Sequence, residues 1–242
     1  MVSFTKLAKS LSLIGVVAAF ACALVFATST TSGTGAAAGS AARAAKAPIP
    51  SPGLDEPLAS KSGSETMVVA GGCFWGVQAV FKSVRGVVSA TSGYAGGSKQ
   101  SADYETVSTG RTGHAESVRV VFDPARVSYG QLLKIFFAVA HDPTQLNQQG
   151  PDVGTQYRSA IFFADAMQQK IAKAYIEQLD AAKVFHGKIV TEITPLTKFY
   201  EAEAYHQDYF FNHPMQPYIV FNDKPKVEAL KQQFPDLFIE HR

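Results

Sequence analysis

Between Thr66 and Val84 an apolar run, a glycine pair and a helical pattern follow one another without a gap. Thr66-Met67-Val68-Val69-Ala70 has the length and branching of a short buried strand. Trp75 to Val84 repeats apolar residues at helical spacing, with Val77, Val80, Phe81 and Val84 on one face. A strand that feeds a helix this directly commits the chain to a layered α/β unit. The hinge of that unit is Gly71-Gly72-Cys73-Phe74-Trp75-Gly76. Its cysteine sits where free helix-start amides and the helix dipole favour a thiolate. Such a site lowers a thiol pKa from about 8.5 to roughly 3.5–7.5. A buried, inert cysteine is the commoner fate of a lone Cys. The flanking glycines and following aromatics favour a reactive one.

The chain holds 242 residues and two cysteines, Cys22 and Cys73. Residues 1–27 carry Lys6 and Lys9 ahead of an apolar run, Leu11 to Ala27, with small residues at its end. That is the layout of a secretory signal peptide. An uncleaved anchor over residues 11–27 is the alternative, although the run is slightly short of the ~20 residues that span a bilayer. Residues 28–64, rich in Ala, Gly, Ser, Thr and Pro, read as a disordered linker. Residues 65–242 read as the folded domain. The location expected is the periplasm or cell envelope. Loss of residues 1–27 would leave Cys73 as the single thiol, so no disulfide framework can form. It would also take the formal charge from +2 to 0, which gives no basic face for nucleic acid.

Further strands are expected over 86–91, 117–122, 159–163 and 189–194. Helices are expected over 128–140, capped by Ser128, and over 165–182, started by Asp165. The order β-α-β-β-α-β matches a ferredoxin-like split unit, a two-layer α/β sandwich with an extra helix and strand appended. Residues 141–158 lack periodicity, and a loop that long inside a compact domain is usually functional. The tail beyond Phe221 reads as a polar connector with a helix from Pro225 to Phe234.

Four segments stand out as loops: Gly72-Cys73-Phe74-Trp75-Gly76, Ser92-Gly93-Tyr94-Ala95-Gly96-Gly97, Gly113-His114-Ala115-Glu116, and Asp152 to Ser159 with Gly154-Thr155-Gln156-Tyr157-Arg158-Ser159. In that order, and with Ala202-Glu203-Ala204-Tyr205-His206-Gln207-Asp208-Tyr209 after them, they resemble the A-type peptide methionine sulfoxide reductases. The resemblance runs from about Met67 to Asn212. It implies reduction of methionine-S-sulfoxide, free or in proteins, by a cysteine that passes through a sulfenic acid. It implies Cys73 as nucleophile and Glu116 as the acid that protonates the sulfoxide oxygen, so Glu116 should be buried with a raised pKa. Tyr94 and Tyr157 would donate hydroxyl hydrogen bonds to that oxygen, and Asp152 would lie near the thiol. Phe74 and Trp75 would wall the substrate methyl, and His206, grouped with the substrate-binding residues, would orient a carboxyl or merely pack, with a supporting role favoured. Without the resemblance, Glu116 reads as a solvent-facing strand acid, and the aromatics read as packing.

No metal or organic cofactor is implied. The tail lacks the further cysteines that many members use to resolve the sulfenic acid. The resemblance therefore implies an external thiol of thioredoxin, glutaredoxin or glutathione type as reductant; the expected state of the chain is a monomer. Two other readings compete. A cysteine hydrolase or acyltransferase would use His206 or His114 as base on Cys73. A non-catalytic module would bind exposed methionines through Phe74 and Trp75.

Overall fold

The computed structural model describes residues 49–240. The expected signal peptide, the anchor alternative and Cys22 lie outside the described residues. β1 (Glu65–Gly71) runs through the glycine hinge into α1 (Phe74–Lys82). The sheet then gains β2 (Val87–Ala95) and β3 (Ala115–Phe122). A one-turn helix, α2 (Tyr104–Val107), lies between them. α3 (Tyr129–Ile135) follows, started by a full capping box. Ser128 accepts from the Gln131 amide, and Gln131 reaches back to the Ser128 amide. The helical pattern expected as far as Ala140 changes winding at Phe136, where a π-turn covers Phe136–Ala140.

The stretch 141–158 contains a small hairpin, β4 (Gln148–Gln149) with β5 (Asp152–Val153), and a 3-10 turn over Thr155–Tyr157. β6 (Ser159–Phe163) leads to α4 (Ala166–Ala181), capped by the Asp165 carboxylate on the Met167 and Gln168 amides. The strand expected from Ile189 starts later, as β7 (Glu192–Pro195). β8 (Phe199–Glu201) was not legible as a strand and pairs with β2 over Gly93–Ala95. The chain closes with α5 (Tyr209–Asn212), a π-turn over Ile219–Asp223 and α6 (Lys224–Gln233).

The larger sheet has the order β7-β6-β1-β3-β2-β8. Its contacts are antiparallel except for β6 with β7, so it is a mixed sheet in an α/β fold. Alternation along each strand divides the side chains. Met67, Val69, Ala90, Tyr94, Val118, Val120 and Phe122 pack with Val77, Phe81, Leu132, Phe136, Ile171 and Leu179 of the helices. Val68, Ala70, Ala95, Ala115, Ala160 and Phe162 form a second, smaller cluster, with Leu196 and Phe199 against it.

The linker expected over residues 28–64 is corrected over its described part. Ile49 and Leu54 pack on the core. Tyr175 donates to the Pro50 carbonyl at 2.8 Å, and Gln178 brackets Ser51 and Gly53. The Asp55 carboxylate accepts from the Ser128 hydroxyl and the Gly130 amide. Low apolar content concealed this segment, because polar contacts rather than a periodic face hold most of it.

Candidate active site

Gly72 makes the turn into the site. It adopts φ +86°, and a Cβ there would stand 2.5 Å from Gln149. Both features require glycine. Cys73 follows as the N-cap of α1 and is 7% exposed. The first free amides of that helix are taken by the two reactive groups. The Phe74 amide donates to Glu116 Oε2 at 3.1 Å, and the Trp75 amide bonds the Cys73 sulfur.

Glu116 belongs to the start of β3, not to a loop. It shares a sheet face with Val118, Val120 and Phe122, under the helices, and is 3% exposed. Burial pushes its pKa up to about 8, aided by Asp152 and Asp223 and opposed by the Phe74 amide. A carboxyl so raised is held mostly in its protonated form at pH 7. The expected solvent-exposed alternative is therefore excluded by position.

The expectation for Cys73 is reversed. Burial holds the thiol well above its ordinary pKa, with Glu116 and Asp223 adding to the effect. The Trp75 amide and Lys226 oppose this without overcoming it. The helix start is present, but it is buried among acids, and desolvation outweighs the dipole.

Cys73, Phe74, Trp75, Tyr104, Glu116, Asp152, Tyr157, Gln216 and Tyr218 line one cavity of about 260 Å³. Sites for drug-sized ligands measure roughly 300–1,000 Å³, so this one suits a side chain. A larger recess, of about 360 Å³, lies at the end of α4 around Phe185 and His186 and contains no cysteine. Asp152 accepts a hydrogen bond from the Tyr218 hydroxyl. Burial raises its pKa, against the pull of Tyr218 and Lys226. The Tyr157 hydroxyl is likewise raised, first by burial and then by Glu116 and Asp152.

Two sequence assignments change. Tyr94 does not line the cavity. Its strand continues through Ala95 and pairs it with Glu116 on the helix-covered face of the sheet, where its ring is fully buried in the core. There it packs 5.9 Å from Phe74 and donates to Glu203 Oε2 at 2.8 Å. Tyr104, which no sequence motif marks, lines the cavity instead. Glu203 Oε1 accepts from its backbone amide at 2.9 Å. His206 also stands outside the lining, one layer behind Trp75. The indole Nε1 donates to His206 Nδ1 at 3.2 Å.

Trp75 is further held by a stack on Tyr209, at 3.8 Å and 9°, and by the edge of Tyr218 at 5.8 Å. His114 is occupied elsewhere, with the Gly97 amide and the Ser98 carbonyl. Neither histidine is hydrogen-bonded to the thiol, which removes the base that a cysteine hydrolase needs. Arg158 ties the motif segments together: it donates to the Gly113, His114 and Thr155 carbonyls and pairs with Glu192 at 3.0 Å.

The tail is no simple connector. The turns just before it give Gln216 and Tyr218 to the cavity, and beyond Phe221 it supplies a buried ion pair, Lys226 with Asp223 at 3.1 Å. That pair lies against α1. A Cβ on Gly76 would stand 2.1 Å from Asp223 Oδ1 and 2.9 Å from Lys226 Nζ. A glycine inside a predicted helix was the signal of that approach.

Residues 65–237 match the family model described as peptide methionine sulfoxide reductase. The chain belongs to that family. It reduces methionine sulfoxide in peptides and proteins, as a peptide-methionine (S)-S-oxide reductase. A Mesorhizobium japonicum protein named peptide methionine sulfoxide reductase MsrA 2 is 59% identical over 187 residues, covering 77% of this chain and 95% of the relative. A Synechocystis protein of the same name is 50% identical over 190 residues, covering 78% and 89%. Among solved structures, methionine sulfoxide reductase A of Corynebacterium diphtheriae is 40% identical with a TM-score of 0.56, covering 65% of this chain and 78% of that one. Mxr1 from Saccharomyces cerevisiae in reduced form is 32% identical with a TM-score of 0.57, covering 68% and 92%.

Proposed function

We propose that the reduction runs as an oxygen transfer to the Cys73 sulfur, with Glu116 as the acid. The observation that carries this is one small cavity holding both a buried thiol and a carboxyl protonated at neutral pH. Phe74 and Trp75 give the S-methyl group an apolar wall. The hydroxyls of Tyr104 and Tyr157 donate to the sulfoxide oxygen, the role first assigned to Tyr94. Asp152, held by Tyr218, fixes the polar side.

Glu116 gives its proton to the sulfoxide oxygen as Cys73 attacks the substrate sulfur. The thiol proton passes to Glu116, which ends the step protonated. The sulfoxide gains two electrons and leaves as the thioether. The oxygen, carrying a proton, moves to Cys73 as a sulfenic acid. Because the resting thiol is held protonated, its attack is coupled to that proton transfer. An idle thiolate would be the form most open to oxidation.

Among the described residues Cys73 is the one cysteine. An external thiol then attacks the sulfenic acid, releasing water and forming a mixed disulfide. A second thiol frees Cys73 and leaves as a disulfide. A thioredoxin, a glutaredoxin or glutathione would serve. We also infer export to the periplasm or envelope, a monomer, and action on free as well as peptide-bound sulfoxide. The order β6-β1-β3-β2 with its antiparallel pairing supports reading the inner sheet as a ferredoxin-like split unit.

The test is intact-mass analysis of the full chain after one equivalent of methionine sulfoxide without reductant. A dimedone adduct on Cys73 is expected, with small thiols restoring turnover. Loss of two hydrogens, with nothing to trap, would show a Cys22–Cys73 bond and refute external recycling. An acyl adduct from an ester probe would favour a hydrolase. Binding with no adduct would leave only a methionine-binding module.

A further inference from the structure

His206 is buried, with 2% exposure, yet it touches no reacting group. Its ring lies 5.0 Å from Phe74, 5.9 Å from Trp75 and 4.4 Å from Tyr104, all three of which line the cavity. Its Nδ1 accepts the indole hydrogen of Trp75. An imidazole that accepts at Nδ1 must be neutral and carry its proton on Nε2. Nε2 is buried and meets no hydrogen-bond partner among the described residues. Leaving a buried polar atom unpaired costs roughly 1–3 kcal/mol. A histidine kept for packing alone would escape that cost as a phenylalanine.

The turn that presents His206 is itself fixed. Glu203 begins it, and its carboxylate takes the Tyr104 amide and the Tyr94 hydroxyl. Gln207 ends it, bonding Gln78 and the Ser92 backbone. Burial lowers the His206 pKa, opposed by Glu203, which keeps the ring in the accepting form.

We propose that His206 is a positioning residue for substrate selection: by accepting the indole N–H it sets the plane of Trp75 as the wall for the S-methyl group. Trp75 has three supports of different kinds. Tyr209 stacks on its face, Tyr218 meets it edge-on, and His206 alone of these takes its polar hydrogen. Stacking permits a ring to rotate in its own plane, whereas a hydrogen bond to Nε1 does not. The role rests on the reading of Trp75 as the methyl wall.

The chain has a single tryptophan, so one indole N–H signal reports on this bond without interference. The experiment compares the full chain with H206F and H206N. Phenylalanine keeps the ring volume and cannot accept, while the asparagine oxygen can stand in for Nδ1. In H206F the Trp75 indole N–H resonance should move upfield, and its hydrogen should exchange with water faster. KM for a methionine sulfoxide peptide should rise roughly fivefold to tenfold, the loss expected for about one net hydrogen bond. The kcat value should change much less. H206N should recover most of the chemical shift and of KM.

An unmoved indole signal in folded H206F would overturn the proposal. So would H206N behaving no better than H206F, or a fall in kcat with KM unchanged. A shifted indole signal with unaltered KM would instead refute Trp75 as the methyl wall, a failure of the underlying reading rather than of the bond.

Discussion

The part of the cavity carrying Cys73, Phe74 and Trp75 is the first turn of a nine-residue helix joined directly to a central strand. The part carrying Gln216 and Tyr218 comes from short turns between α5 and a π-turn. The first region is fixed by regular backbone bonds and by the amides that hold Glu116 and the thiol. The second is fixed by individual side chains: Tyr218 on Asp152, and Asp223 with Lys226 against Gly76. Reactive atoms sit on the rigid region, while enclosure comes from the irregular one. On this division, substitutions of the reactive groups on the helix start and on β3 should stop the chemistry, and those among the enclosing side chains should tune it.

The largest expected effect is at the nucleophile. C73S should keep the fold and lower turnover by roughly 1,000-fold or more, measured as methionine formed per enzyme. Residual activity at a few per cent of the parent would refute the assignment. E116Q should follow, at roughly 100-fold, the lower end for general acid catalysis because the amide still donates a hydrogen bond. The pH profile sharpens this. The acid form is the active one, so the parent's rate should fall as pH rises through about 8. The fall should be absent in E116Q. An unchanged rate in E116Q across neutral pH would make the carboxyl structural.

A smaller effect separates the two tyrosines. Y104F should slow turnover roughly tenfold, the loss of one hydroxyl donor to the developing oxygen charge. Y94F should change the rate by under about threefold. It should lower stability by about 1 kcal/mol, because Glu203 loses a buried partner. Denaturant titration beside steady-state kinetics checks both. The reverse ranking would return Tyr94 to the cavity and break the strand-based argument.

That pair also shows what the sequence made legible. Cys73, Phe74, Trp75, Glu116, Asp152 and Tyr157 lie in contiguous motifs, and each lines the cavity. Tyr94 lies in such a motif too, but its strand runs on to Ala95. Had the strand been extended past Thr91, the alternation of Ala90, Ser92 and Tyr94 would have placed the ring in the core. Tyr104 follows Ser101-Ala102-Asp103, a polar stretch with no apolar period. Only the Asp103 cap, which accepts from the Thr106 amide, hinted at a turn of helix there. The tail was hardest, because π-turns carry no repeating pattern to detect. The thiol pKa departs from the expectation for a different reason. A helix start is visible in sequence, but desolvation depends on what covers it.

The segment 49–55 has a practical consequence for the boundary of the folding unit. The family match begins at residue 65, so a fragment cut there would look complete. Such a fragment would lose the Asp55 contacts at the start of α3 and the Pro50 contact on Tyr175. It would also uncover apolar surface where Ile49 and Leu54 now lie. The catalytic residues would all remain, on a scaffold that opens more readily from that side. Expression of the enzyme as an autonomous unit should therefore start ahead of Ile49.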